Sequence, residues 1–490
     1  MIDVLLINSN MTFPSEADIS GRTVPVRDIE KVVNLGLLSV ASYLDAKGFS
    51  VKILELVGHH DELPLIRQTI EQEQPQCVGI SCISCFTYPK LKAYAKLIKS
   101  IDQGIVLLAG GQHISSIPQI AMEEIPELDC VVRGEGEYAC HQIMRCVREG
   151  QSCAEVPAIV YRDGNTIVDN TGLPGERVDL DALPFLRYDL YPNFYEYQPH
   201  VEVSRWCAFN CYFCTSRSMS SGIKDKSMSR FVDELEHVVS LYAQHGVSSS
   251  DLQFFFACST FGLKRSRIEE FVRIMQERRL KIRWRTETRI DAPVIEYLKE
   301  LADVGLGVID LGLESGSPQM LQVMNKCKKP WDYLIRASEF IARASDVPGL
   351  LVKINLVFYA GETPDTIRET VSFLMLHAEL IDSVSAGPVV VYANAPIADK
   401  LPEYEKEFGT SVVEGEFWKK VHARPINPSN SLSFDQLNNL SLMLAKMLCP
   451  EKEYFEVKKY GQYPLKMDLE GFRKVLSGPE EHHLPFRKTN

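Results

Sequence analysis

The chain has 490 residues, 45% of them hydrophobic and 24% charged, with a formal net charge of −12. That length predicts two or three domains with a sizeable core, and the composition excludes collagen-like, disordered and coiled-coil chains. No apolar run reaches the ~18–20 residues of a membrane span, and the opening MIDVLLINSN lacks the basic segment of a secretory signal. An acidic chain is a poor default binder of nucleic-acid backbone. The expectation is therefore a cytoplasmic protein that engages neither membrane nor nucleic acid. Its 13 cysteines then read as reduced thiols or metal ligands.

In chain order, VLLINSN (4–10) is a strand, 34–48 an amphipathic helix ending at Gly48, and VKILELV (51–57) a second strand. A short helix runs to Pro75. CVGISCIS (77–84), IVLLAGG (105–111) and CVVRGEGE (130–137) are further strands, with the helix LKAYAKLIKSI between the first two. Strands separated by single helices predict right-handed βαβ units and a parallel, doubly wound sheet, whose ligands sit at the carboxyl ends of the strands. This sets a first domain at 1–150. Residues 151–200 hold a hairpin around Gly164-Asn165 and then Pro174, Pro184, Pro192 and Pro199, a pattern that reads as a linker. From 201 to 400 about six βα units follow, too few for a closed eight-unit barrel. Residues 401–490 turn helical and irregular, and are expected to form a capping region.

The chemistry concentrates at Cys207, Cys211 and Cys214, spaced C-x3-C-x2-C in RWCAFNCYFCTSRS, in the loop after the first strand of this second series. Closely spaced thiolates suit zinc or an iron–sulfur cluster. A structural zinc site wants four closed ligands, and the next cysteine, Cys258, is more than forty residues on. Three cysteines on a cubane would leave one iron open.

With Phe213 as its aromatic residue, this motif resembles the signature of the radical S-adenosylmethionine (SAM) enzymes, which have a partial (βα)6 barrel. WRTETRID (284–291), GLESGSPQMLQVMNK (312–326) and FYAGETPDTI (358–367) resemble the matching segments of members that carry a cobalamin domain. The resemblance implies a [4Fe–4S] cluster on Cys207, Cys211 and Cys214, with SAM on the open iron. An electron from an external donor such as flavodoxin or ferredoxin would then yield a 5′-deoxyadenosyl radical. It places Phe213, Ser259, Glu314 and Ser315 near SAM and Arg289 near the SAM carboxylate. FFACSTF (255–261) departs from the family's acidic form, because Cys258 and Ser259 stand where aspartates are usual.

The first domain alone shows only a ligand crevice, with neither a Walker A motif nor a G-x-G-x-x-G after a strand. Beside the triad it resembles the cobalamin-binding domains of the same subfamily. The likeness lies in Asn34-Leu35-Gly36-Leu37, Gly110-Gly111-Gln112-His113 and Val132-Arg133-Gly134-Glu135-Gly136-Glu137. It implies cobalamin contacts at Asn8, Gly36, Ser81, Ser84, Gly110, Gly111, His113, Gly134, Glu135 and Gly136. Residues 9–33 contain no histidine, so the resemblance implies cobalamin held without a histidine from that loop. His59 and His60 read as a surface pair and His482 and His483 as tail residues. Cys82 and Cys85 read as small crevice-lining residues rather than ligands of a second metal. The reading is thus a cobalamin-dependent radical SAM enzyme, a methyltransferase of an unactivated carbon in a small molecule or peptide. A cyclisation, rearrangement or oxygen insertion with the same cofactors, a cobalamin-free radical SAM enzyme, and a non-catalytic sensor are the alternatives.

Overall fold

A computed structural model describes residues 1–12, 30–59, 61–216, 222–476 and 484–488. His60, His482 and His483 lie outside these residues, as do positions 13–29 of the histidine-free loop. The described residues fall into two compact units, the first comprising 1–12, 33–194 and 416–422 and the second nearly all the rest.

In the first unit, β1 (Val4–Asn8), β2 (Val51–Glu55), β3 (Cys77–Ser81), β4 (Val106–Gly110) and β5 (Cys130–Val132) form a parallel sheet in the order β2-β1-β3-β4-β5. The order reverses between β1 and β3, which is where doubly wound sheets open a ligand crevice. Valine, leucine and isoleucine runs suit these strands because both faces are covered. Leu5, Ile7, Val78, Ile80, Leu107 and Ala109 pack on one face against α2 (Glu62–Glu73), α3 (Tyr88–Ile101) and α4 (Pro118–Glu124). The opposite face takes α1 (Leu35–Ala46) and α5 (Glu137–Glu149), which pack on each other.

The linker expected at 151–200 is instead largely part of this unit. β6 (Ile159–Asp163) and β7 (Thr166–Asp169) extend the sheet by antiparallel pairing from β5. The proline-punctuated stretch that follows has little regular structure yet is anchored by its apolar residues. Val178, Leu180 and Leu183 cluster with Tyr43 and Tyr138. The Arg187 amide donates to Ser42 Oγ (2.9 Å) and its guanidinium to Asp45 (2.6 Å).

The second unit begins with β8 (His200–Glu202) and a two-residue antiparallel pair, β9 (Ser204–Arg205) with β10 (Lys224–Asp225). β11 (Gln253–Ala257), β12 (Arg283–Arg289), β13 (Leu306–Glu314), β14 (Leu351–Phe358) and β15 (Ser383–Pro388) follow. Each pairs in parallel with its predecessor in the order β8-β11-β12-β13-β14-β15, a six-stranded open barrel. Its helices are α6 (Met228–Gln244), α7 (Arg265–Arg278), α8 (Leu298–Asp303), α9 (Pro318–Val323), α10 (Pro330–Ser345) and α11 (Pro364–Leu376). Between sheet and helices lies an aromatic core in which Trp284 stacks on Phe256 (4.5 Å, 10°), with Phe231 and Phe271 edge-on to that pair. On strand positions alternating with these, Arg285 pairs one guanidinium edge, Nε and Nη2, with Asp310 (3.0 and 2.6 Å), and Lys353 reaches the same carboxylate (3.1 Å). All three are buried or nearly so, and such a pair is tolerated because each charge keeps its partner.

The C-terminal region is not one cap. β16 (Val390–Tyr392), α12 (Ile397–Phe408), β17 (Ser411–Val412) and β18 (Ala423–Asn427) make a small antiparallel sheet with one helix beside it. Within this run α13 (Glu416–Lys420) belongs to the first unit, where Phe417 stacks on Phe86. α14 (Phe434–Leu448), α15 (Glu451–Lys459) and α16 (Leu469–Val475) follow. α14 and α15 engage the barrel near the amino ends of its strands, opposite the edge where barrel sites form, and α16 packs on α15. Cys449 contacts Ser383 and Val384 at the start of β15, the Val457 carbonyl accepts from Arg285, and Tyr460 fills the space that Gly307 leaves. A larger residue at 307 would collide with the Tyr460 hydroxyl.

His200, at the start of β8, is buried and donates from Nε2 to the Gly461 carbonyl. Burial pushes its pKa from 6.5 down to about 4, with Arg285 adding to the effect. Between those values the unfolded chain binds a proton that the folded chain does not. The stability linked to His200 is therefore complete above pH 6.5 and falls as the pH drops toward 4, by about 3 kcal/mol at most. The urea midpoint of unfolding is expected to fall on acidification across this range, and to fall less in His200→Gln. An equal fall in both proteins would refute the assignment.

Candidate active site: strand ends of the two units

In the first unit the carboxyl ends of β1 and β3 meet through Asn34. Its amide donates to Asn8 Oδ1 and to Ser81 Oγ (both 2.8 Å), while its own Oδ1 caps α1 by accepting from the Leu37 amide (3.1 Å). Behind it Asn8 donates to Glu55 (2.9 Å), which also accepts from the Tyr191 hydroxyl and the Val57 amide. Burial pushes the Glu55 carboxyl above its usual range, and these donors oppose the shift. Next in the chain, Ser9 is buried and its hydroxyl meets no partner among the described residues.

Gly110 and Gly111 end β4. A side chain at 111 would sit 2.7 Å from the Cys82 carbonyl oxygen, and the residue's φ of +117° is one that glycine alone adopts readily. Gly134 donates its amide to Ser115 Oγ (3.0 Å). Gly134, Glu135 and Gly136 follow β5 and lead into α5, while Gly36 lies exposed in the first turn of α1. Ser84 follows β3, where its hydroxyl caps a short turn by accepting from the Phe86 amide (3.3 Å). Backbone space, amides and hydroxyls at a switch point suit a large ligand with amide side arms, which is what a corrin presents.

His113 lies just beyond Gly110 and Gly111. Its imidazole is 3% exposed and covered by Tyr88 and His422. Burial takes its pKa down to about 4, with His422 adding to the effect. Cys82 and Cys85 are fully buried, and burial pushes the Cys82 thiol up to about 12.

In the second unit the loop 206–216 leaves the barrel after β9. The Tyr212 amide donates to the Met324 carbonyl (2.9 Å), the Ile397 amide to the Tyr212 carbonyl (2.9 Å) and Asn325 Nδ2 to the Asn210 carbonyl (2.8 Å). Cys211 is buried, and Cys207 and Cys214 are half-buried. Cys207 Sγ lies 3.8 Å from Thr260 Oγ1 beyond β11, and Cys214 Sγ lies 3.3 Å from Ser216 Oγ. No three His, Cys, Asp or Glu side chains among the described residues gather tightly enough for one metal ion. A single tetrahedral zinc would draw its thiolates to within about 4 Å of one another. Three thiolates from one loop are the donor set a four-iron cubane would take, each serving a different iron.

Arg289, at the end of β12, is buried and stacks on Phe209 at 3.7 Å. It grips Asp291 with two parallel bonds (2.8 and 2.9 Å), and donates to the Lys326 carbonyl (2.6 Å) and to Cys211 Sγ (3.5 Å). Four of the five guanidinium N–H groups are thus engaged, which leaves one for the SAM carboxylate that the sequence reading gave it. Lys326, which sequence reasoning passed over, is buried and donates to Glu314 Oε1 (2.9 Å). Glu314 follows a register shift in β13 and has φ +68°. The pair occupies the space over Gly312, where an added Cβ would lie 2.9 Å from Glu314 Oε1 and 3.1 Å from Lys326 Nζ. Burial raises the Cys211 thiol, while Lys326 and Arg289 pull it down.

Ser315 Oγ is 3.0 Å from Thr370 Oγ1 and accepts from the Ser317 amide (3.0 Å). Phe213 packs with Met320, Met324 and Tyr359, and Ser259 is exposed beside Thr260. Cys258 turns toward Thr286 Oγ1 (3.5 Å), and burial takes its thiol to about 12. A neutral thiol therefore replaces the usual acid. A cavity of about 310 Å³, bordered by Phe209, Thr260, Phe261 and Arg267, adjoins the cysteine loop.

Residues 30–144 match the B12 binding domain and residues 201–374 the radical SAM superfamily. The chain thus carries both domains of the cobalamin-dependent radical SAM enzymes, with cobalamin, SAM and a [4Fe–4S] cluster as cofactors. It is 28% identical over 461 residues to the uncharacterized methyltransferase PH0819 of Pyrococcus horikoshii, covering 90% of this chain and 93% of that one. To the anaerobic magnesium-protoporphyrin IX monomethyl ester cyclase of Rubrivivax gelatinosus it is 24% identical, covering 90% and 76%.

Among solved structures, the methyltransferase TsrM from Kitasatospora setae, bound to tryptophan and a SAM analogue, shares the fold with a TM-score of 0.66. The identity is 16%, and 85% of this chain and 79% of TsrM are covered. The cobalamin-dependent SAM radical enzyme OxsB gives 0.71 at 17% identity, covering 99% and 71%.

Serine at Cys207, Cys211 or Cys214 is expected to lower iron in the anaerobically purified chain from about four per chain to below about one. A Cys82→Ser, Cys85→Ser double variant should retain it. Iron loss in the double variant, or retention in all three single variants, would contradict the donor set.

Proposed function

We propose that this chain is a methyltransferase acting on an unactivated carbon of a small molecule or peptide, with electrons supplied by an external flavodoxin or ferredoxin. The observation that carries the reading is the likeness to a protein named as a methyltransferase over nearly the full length of both chains, B12-binding domain and radical SAM core together. When bound, the cofactors supply the one-carbon and radical chemistry.

The chain's own part is to hold, orient and shield. Cys207, Cys211 and Cys214 hold the cluster. Glu314, held by Lys326 on one carboxylate oxygen, would stand near SAM. Ser315, the backbone at Ser259 and Thr260, and the apolar wall at Phe213 frame the rest of that cofactor. In the first unit Asn8, Asn34 and Ser81 form the polar floor of the cobalamin crevice, and Gly111 and Gly134 let the backbone approach the corrin closely.

The likeness to a cyclase supports a second reading, ring formation with the same cofactors. The two separate by product mass. After anaerobic incubation of the loaded enzyme with reductant, SAM and candidate metabolites or peptides, methylation is expected to add about 14 Da to the substrate and to consume SAM in step with product. A product without the added carbon would replace the methyltransferase reading with the second one.

A further inference from the structure

The contact between Arg289 and Cys211 is unusual for a group expected only to meet SAM. We infer that Arg289 is a tuning residue for the iron–sulfur cluster: its guanidinium, donating to Cys211 Sγ, raises the cluster's reduction potential. The inference rests on the reading that Cys207, Cys211 and Cys214 hold a [4Fe–4S] cluster.

The geometry is specific. Asp291 holds the Nε and Nη2 side of the guanidinium in two parallel bonds, the Lys326 carbonyl takes a further Nη2 hydrogen, and Phe209 covers one face. With the fork fixed on that side, Nη1 is left 3.5 Å from Cys211 Sγ. The Arg289 side chain is 6% exposed whereas that of Asp291 is 37% exposed. Water therefore screens the carboxylate more than the cation, and the cation is the member of the pair that touches sulfur.

One-electron reduction adds a negative charge to the cluster and its thiolates. A buried cation and an N–H bond to a ligating sulfur stabilise that added charge, and hydrogen bonds to the sulfurs are among the factors that set such potentials. The buried Lys326 adds positive charge on the same side, partly offset by Glu314. Arginine suits this position where lysine does not, because only a planar fork meets a carboxylate, a carbonyl and a sulfur while stacking on an aromatic ring.

The test is an EPR-monitored redox titration of the reconstituted full-length chain, run with and without SAM, on wild type, Arg289→Gln and Arg289→Lys, each with iron and sulfide counted. In Arg289→Gln without SAM the midpoint is expected to become more negative by at least a tenfold change in the reduction equilibrium, 59 mV for one electron. Arg289→Lys, which keeps the charge but not the fork, should fall between it and wild type. An unchanged midpoint in a variant that retains its irons would overturn the inference. So would a shift seen only when SAM is present, which would assign Arg289 to the SAM carboxylate alone. Loss of iron from both variants would overturn it as well, since a group that only tunes the potential is not needed to hold the cluster. A wild-type chain that takes up no four-iron cluster would refute the underlying reading instead.

Discussion

Buried cations are costly unless each is paired and hydrogen-bonded, and the end of the open barrel is organised around two of them. Lys326 needs Glu314, and Glu314 reaches it because β13 shifts register and the chain takes a left-handed turn at that residue. Gly312 leaves room beneath the pair, where a methyl group would crowd both partners. Arg289 needs Asp291 and the Lys326 carbonyl, and once so held it meets the buried Cys211. The segment 312–326 is therefore a set of mutually dependent positions.

The first unit obeys the same rule with amides, hydroxyls and one buried carboxyl. Asn34 serves as helix cap and as bridge between β1 and β3, so one amide ties the start of α1 to the point where the strand order reverses. Glu55 is tolerated behind it because Asn8, Tyr191 and the Val57 amide all donate to it. The crevice is thus floored by groups that already satisfy one another. Such a floor fits a cofactor bound by shape and by many weak polar contacts better than one seized by a single strong ligand.

Much of this was legible in the sequence. Apolar runs such as VLLIN, CVGIS and VLLAG, separated by single helices, read as covered parallel strands, and the cysteine spacing pointed to the loop after β9. Strand order was not legible, because the β1–β3 reversal depends on which helix covers which face. The stretch 170–194 reads as linker since its prolines and glycines suppress periodicity, yet Leu183 and Tyr191 are buried in the first unit. Residues 401–490 carry no strand-helix alternation, so neither the passage of 416–422 to the first unit nor the packing of α15 at the barrel's strand starts could be read. Lys326 was missed because a lysine in NKCKKP looks solvated, and its burial follows only from the turn that delivers it to Glu314. Asn34 did carry a signal, an asparagine just before an apolar helix.

Placing both cofactor-binding domains on one chain makes the whole account depend on a single composition. The most direct measurement is the iron, sulfide and cobalt content of the full-length chain, purified without oxygen and reconstituted with iron, sulfide and hydroxocobalamin. The account predicts about four irons and about one cobalt per chain. Four irons with no cobalt uptake would contradict the cobalamin half of the account, and zinc in place of iron would contradict all of it.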